Sequence, residues 1–109
     1  MIGPEYIFQR KVLKWIRSLQ DVWVIKTREI NTRGIPDILA CITGDFYALE
    51  IKAYKKKPTK LQANELKKIE NAGGFSYVLY PENFEKFKRD ILQRYPLTVP
   101  ASFKKSGYC

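Results

Sequence analysis

The sequence contains no histidine, two cysteines and one methionine among 109 residues. Without histidine, imidazole acid–base catalysis and histidine-ligated metal sites are excluded. Two cysteines, one of them the last residue, cannot build a disulfide scaffold or a four-ligand zinc site, and they fit a reducing, cytoplasmic setting. No apolar run approaches the ~18–20 residues that span a bilayer, so no membrane partner is expected. The opening residues Met1 to Tyr6 lack the basic-then-apolar pattern of a secretory signal. No internal repeat and no linker divides the chain.

What is present is apolar bulk and positive charge. Hydrophobic residues make up 45% and aromatics 14%, which argues for a folded core, and the length suits one domain. The formal net charge is +9, from 20 basic and 11 acidic residues. The excess is concentrated in residues 51–70, which carry 7 lysines against 2 glutamates. Such a balance points to a polyanionic partner, nucleic acid first.

Periodicity divides the chain into seven elements. Phe8, Val12, Trp15 and Leu19 mark one face of a helix over Pro4–Gln20, with Pro4 in the first turn. Glu5 lies on that apolar face near the start of the helix, an unusual place for a carboxylate. Val22–Thr27 is β-branched and aromatic, hence a strand. Arg28–Gly34 is polar and reads as a loop. Ile35–Ile42 and Phe46–Ala53 are strand-like, with a hairpin turn near Thr43-Gly44-Asp45. Tyr54–Lys60 forms a basic loop, and Thr59 opens a second helix through a capping box with Gln62. Gly73-Gly74 ends that helix. Phe75–Tyr80 is a fourth strand, and Pro81 starts a third helix that buries Phe84, Phe87, Ile91 and Leu92. Residues 1–95 are expected to form the domain, and 96–109 an extended or disordered tail. The order is α-β-β-β-α-β-α, an α/β (α+β) class with a small mixed sheet flanked by helices. Trp15, Trp23, Phe84 and Phe87 are expected in the core, and Cys41 is expected buried in its strand.

Asp37, Glu50 and Lys52 form the constellation with chemical potential. Glu50 and Lys52 share a strand face. A two-residue hairpin loop at Thr43-Gly44 places Asp37 opposite Glu50, and a loop at Gly44-Asp45 places it opposite Lys52. Both put Asp37 on the same face at ~4.5–8 Å. A three-residue loop would reverse the parity and disperse the cluster. Two carboxylates at that separation repel, and Lys52 or a divalent cation relieves the conflict. Hard oxygen donors suit Mg²⁺ or Mn²⁺. Such an ion acidifies water and stabilises phosphoryl charge. Lys52 could position or deprotonate the water, or neutralise the developing charge. Lys55, Lys56, Lys57 and Lys60, together with Arg33, would bring a phosphate backbone to the cluster. Taken by spacing alone, Glu50 and Lys52 also fit a solvated strand face with a salt bridge, and Asp37 an ordinary turn.

Gly34-Ile35-Pro36-Asp37, followed after twelve residues by Glu50-Ile51-Lys52, resembles the signature of the PD-(D/E)xK nuclease superfamily. The likeness is closest to its VRR-NUC (virus-type replication-repair nuclease) branch, in stand-alone form. Glu5 matches a helix-borne acid of that branch. Lys57-Pro58-Thr59-Lys60-Leu61-Gln62 resembles its loop-into-helix motif, and Ala72-Gly73-Gly74 its next step. The resemblance runs from about Glu5 to Tyr80 and implies a restriction-endonuclease-like core. It further implies Mg²⁺- or Mn²⁺-dependent hydrolysis of DNA phosphodiesters, with no small-molecule cofactor. Glu5, Asp37, Glu50 and the Ile51 carbonyl would be metal ligands, direct or through water. Lys52 would be the catalytic lysine, acting with Asp37 and Glu50, and Gln62 an accessory that orients Lys52 or substrate. Such proteins resemble Holliday-junction resolvases that act as homodimers on branched or duplex DNA in replication, recombination or repair. The expected setting is the cytoplasm of a microbe or a phage-infected cell. The alternatives are a non-catalytic basic nucleic-acid-binding module, a protein-interaction module, and a nuclease acting on RNA or single strands.

Overall fold

Four strands and three helices follow one another in the expected α-β-β-β-α-β-α order. The structure is a computed structural model and describes residues 3–27 and 33–96. Most of the Arg28–Gly34 loop and all but Pro96 of the expected tail lie outside those residues.

Helix α1 spans Pro4–Arg17, with Pro4 in its first turn, Glu5 beside the positive N-terminus and Lys14 and Arg17 in the last turn. It buries Phe8, Val12, Leu13 and Ile16. The helix stops three residues short of the expected Gln20. The Ser18 hydroxyl donates to the Trp15 carbonyl at 2.6 Å, and Asp21 then takes a left-handed φ of 56°. Leu19 still reaches the core, from beyond the helix end.

The sheet has the order β1-β2-β3-β4, with β1 Val22–Lys26, β2 Ile38–Ile42, β3 Asp45–Ile51 and β4 Phe75–Leu79. The first two pairings are antiparallel and the β3–β4 pairing is parallel, as a helical crossover requires. Each strand is shorter than its sequence pattern. The largest difference is at β2, which starts at Ile38 rather than Ile35, because Pro36 has no N–H to give to a ladder.

Helix α2 spans Lys60–Asn71 and carries the predicted capping box, the Thr59 hydroxyl accepting from the Gln62 amide. Pro81 does not open the third helix directly. It begins a 3₁₀ turn, Pro81–Asn83, held by the Asn83 carboxamide, which accepts from Tyr80 N–H at 2.8 Å and donates to the Val78 carbonyl at 3.0 Å. Helix α3 then runs Phe84–Arg94.

The core lies between one face of the sheet and helices α1 and α3. Ile38, Ala40, Ile42, Tyr47, Leu49, Ile51 and Leu79 meet Phe8, Val12, Ile16, Phe84, Phe87 and Ile91 there. Each large apolar side chain so buried contributes about 1.5–3 kcal/mol. Trp15 closes the margin by edge-on contacts with Phe84 and Phe87.

On the opposite face α2 packs against β3 and β4. The half of that face made by β1 and β2 is differently furnished. Trp23 pairs with Cys41, which pairs with Phe46, and Trp23 and Phe46 are 57% and 42% exposed. Trp23 is therefore a surface residue rather than a core residue, and Cys41 is half-buried rather than buried. Both expectations weighed side-chain type, whereas β1 is an edge strand whose second face no described helix covers.

Candidate active site

The hairpin between β2 and β3 decides the geometry. Its loop is Thr43-Gly44, with φ of 49° and 92°, the two positive angles of a two-residue turn whose twist matches its strands. Ile38 pairs with Leu49, so one further step in register sets Asp37 opposite Glu50. Of the two registers that join the carboxylates, the first is realised.

The chain around Asp37 is held from three sides. Thr27, at the end of β1, donates its N–H to the Asp37 carbonyl at 3.0 Å and its hydroxyl to the Pro36 carbonyl. The Ile51 N–H donates to Asp37 Oδ2 at 2.8 Å, so a side chain takes the place of a ladder partner. Gly34, with φ of 84°, lies against the first turn of α2, and a Cβ there would sit 3.0 Å from the Leu61 carbonyl oxygen. Only glycine combines that angle with that approach. Thr27 was not a sequence candidate. The only sequence signal for it is a hydroxyl residue closing an apolar strand.

Glu50 is buried, with 1% of its surface exposed. Its Oε2 lies 3.6 Å from Lys52 Nζ, whereas Oε1 has no hydrogen-bond partner. A buried carboxylate oxygen without a partner is costly. Desolvation, and next the charge of Asp37, push the Glu50 carboxyl up to about 8, against the pull of Lys52. Burial likewise raises Asp37, partly offset by the Ile51 N–H. The charge of Lys52 lowers both carboxyls, and a hydrogen bond between the Asp37 and Glu50 side chains favours the proton on Glu50.

The other sequence candidates take different places. Glu5 reaches the end of β3, where its Oε1 accepts from the Ala53 N–H at 3.1 Å, and its charge is felt at Asp37. Its carboxylate is not gathered with the other two. Among the described residues no three carboxylate or cysteine side chains converge into a group able to hold an ion. Ile51 is fixed beside Asp37 by its amide. Gln62 is engaged in the capping box, its Oε1 accepting from Thr59 N–H at 2.8 Å. Gln62 directly follows Leu61, the residue against which Gly34 lies, and its side chain is turned to Thr59. Lys55, Lys56, Lys57, Lys60 and Arg33 are all exposed. The loop that carries the lysines is pinned by the Tyr80 hydroxyl, which donates to the Lys56 carbonyl at 2.6 Å. Lys55 Nζ lies 5.1 Å from the centre of the exposed Tyr54 ring.

A divalent ion fits the donors that are present. Asp37 and Glu50 are adjacent hard-oxygen ligands with raised proton affinity, and Glu50 Oε1 is an orphaned buried acceptor. A cation supplies the missing partner and removes the repulsion in one event. Compared with family models, curated proteins and solved structures, the chain matches none.

Proposed function

We propose that the chain is a divalent-metal-dependent endonuclease that hydrolyses DNA phosphodiester bonds. The observation that carries this reading is the buried, partnerless Glu50 Oε1 beside Asp37 and Lys52, at a strand end followed directly by an exposed lysine loop. A structural salt bridge does not require a second, half-buried carboxylate next to the buried one. A site built to receive a cation does.

Asp37 and Glu50 would hold Mg²⁺ or Mn²⁺, with the Ile51 carbonyl as a backbone donor. When bound, the ion would supply Lewis-acid stabilisation of phosphoryl charge and acidify water. Thr27 and the Ile51 amide keep the Asp37 carboxylate in place, so the donors are pre-positioned rather than recruited. Lys52 Nζ, steadied by Glu50, orients the attacking water or neutralises negative charge on the phosphate. Water attacks phosphorus, the bond from phosphorus to the 3′ oxygen breaks, and that oxygen takes a proton. The products carry 5′-phosphate and 3′-hydroxyl ends. Lys55, Lys56, Lys57 and Lys60 draw the backbone towards the strand end. The resemblance to junction resolvases supports branched DNA as the preferred substrate and a homodimer as the form that cuts both strands.

The test is a panel of labelled duplex, single-stranded, flap and four-way-junction DNA, with the matching RNA, in Mn²⁺, Mg²⁺ or EDTA. Metal-dependent cutting of branched DNA supports the proposal in full. Cutting of RNA or single strands alone would redirect its substrate. Binding without cutting under every condition would leave a basic binding module.

A further inference from the structure

The solvent-facing side of α1 forms one wall of a groove of about 680 Å³, and the end of β1 forms the other. The cations Arg10, Lys11, Lys14, Arg17 and Lys26 line it together with Tyr6 and the apolar Ile7 and Leu13, and no acidic side chain among the described residues does. The cations follow helical spacing, Arg10 and Arg17 in one row, Lys11 and Lys14 in the next. Arg10 and Arg17 are seven residues apart, about 10 Å along the axis.

The groove opens beside the candidate active site. Tyr6 follows Glu5, whose carboxylate is tied to Ala53 next to Lys52. Across the groove, Lys26 pairs with Ile38, and its neighbour Thr27 holds Asp37. The Tyr6 ring stands between the walls, with Lys26 Nζ 5.5 Å and the Arg10 guanidinium carbon 6.0 Å from its centre. Tyr6 is 37% exposed, so part of this side chain meets solvent at the groove. Cations in register with an aromatic platform are the parts that hold a nucleic-acid strand.

We infer that this groove is a second nucleic-acid track, which holds the phosphate backbone flanking the bond at Asp37, Glu50 and Lys52. It is separate from the Lys55–Lys60 loop, so the substrate contacts the protein on both sides of the strand end. The inference rests on the nuclease proposal for its place along the substrate, but the binding surface itself does not depend on cleavage.

The experiment measures equilibrium binding of labelled duplex and single-stranded DNA by the full chain in EDTA, over a range of salt. The groove variants are Arg10→Gln/Lys14→Gln and Lys11→Gln/Arg17→Gln. The control, Lys67→Gln/Arg89→Gln, removes the same charge from exposed positions on α2 and α3. Thermal melts confirm that all remain folded. Each groove variant is expected to lower the slope of log affinity against log salt by about two, with roughly tenfold or greater weakening at low salt. The control is expected to leave the slope near the wild-type value. Equal losses in groove variants and control would overturn the inference, because net charge alone would then explain binding. Unchanged DNA affinity with lost binding to phosphatidylserine vesicles would overturn it in favour of a membrane surface. A chain that shows the groove effect but never cuts DNA with Mn²⁺ would refute the nuclease proposal and leave the track standing.

Discussion

Replacing Glu50 by glutamine should make the metal-free protein more stable, and only at neutral to alkaline pH. Glu50 is buried beside Asp37, and its carboxyl is pushed from 4.5 up to about 8. The folded state therefore binds a proton that the unfolded state has released anywhere between those values. Stability from this group is complete below about pH 4.5 and declines as pH rises through about 8. At about 1.4 kcal/mol per unit, the upper limit of that loss is on the order of 5 kcal/mol. Burial is the larger cause and the charge of Asp37 the next, so removing the Glu50 charge recovers about 2–4 kcal/mol. Glutamine keeps the shape, carries no charge and can donate its amide to Asp37. For a domain near this size 1 kcal/mol moves Tm by ~4–8 °C, which sets the expected gain at roughly 10 °C or more at pH ~8. Calorimetric melts of wild type and Glu50→Gln in EDTA, at pH ~4.5 and pH ~8, provide the assay. The two proteins should melt nearly together in acid and diverge in base. A gap that is the same at both pH values, or a variant less stable at pH ~8, would refute the claim that Glu50 is an electrostatically strained buried acid.

Other residues give further expectations. Adding Mn²⁺ at pH ~8 should raise the Tm of wild type with the logarithm of ion concentration once it exceeds Kd, and leave Glu50→Gln/Asp37→Asn unmoved, as titration followed by thermal melting would show. Gly34→Ala should cost more than about 1 kcal/mol in a denaturant melt, because its φ of 84° and the 3.0 Å approach to the Leu61 carbonyl oxygen both oppose a Cβ. The same change should reduce cleavage, since Gly34 sets where the Asp37 segment meets α2. Thr59→Ala removes the hydroxyl that accepts from the Gln62 amide and should cost about 1 kcal/mol, measured by chemical denaturation. If Gln62 has no second role, cleavage per folded molecule should survive that loss.

The local features were the ones legible in the sequence. The capping box at Thr59 and Gln62 spans four residues and is set by chemistry within one turn, so it was found in place. The hairpin was visible too, but its exact loop was not. Thr43-Gly44 and Gly44-Asp45 both keep Asp37 on the face of Glu50, and the choice depends on twist rather than on residue type. The pairing of the two acids thus followed from parity, whereas the orphaned Glu50 Oε1 required three-dimensional packing. Trp23 shows the opposite failure. Its type argued for the core, yet burial depends on which strand is at the edge and how far α2 extends over the sheet. Charge was misjudged in a similar way. Residues 1–50 carry seven basic and six acidic residues and so sum to nearly zero, Glu5, Asp37 and Glu50 being three of the acids that offset the cations of α1. In space those acids lie around the strand ends and the cations line a groove. A sum along the chain cancels charges that the fold separates.

The central claim is that Lys52, with Asp37 and Glu50, forms a hydrolytic site. The most direct measurement compares strand cleavage by wild type and by folded Lys52→Ala on a labelled four-way junction in Mn²⁺, with DNA affinity measured in parallel. Wild type should cut, EDTA should abolish cutting, and Lys52→Ala should lose at least about a hundredfold at nearly unchanged affinity. Equal cutting by both proteins, or none by wild type bound to the junction, would contradict the claim.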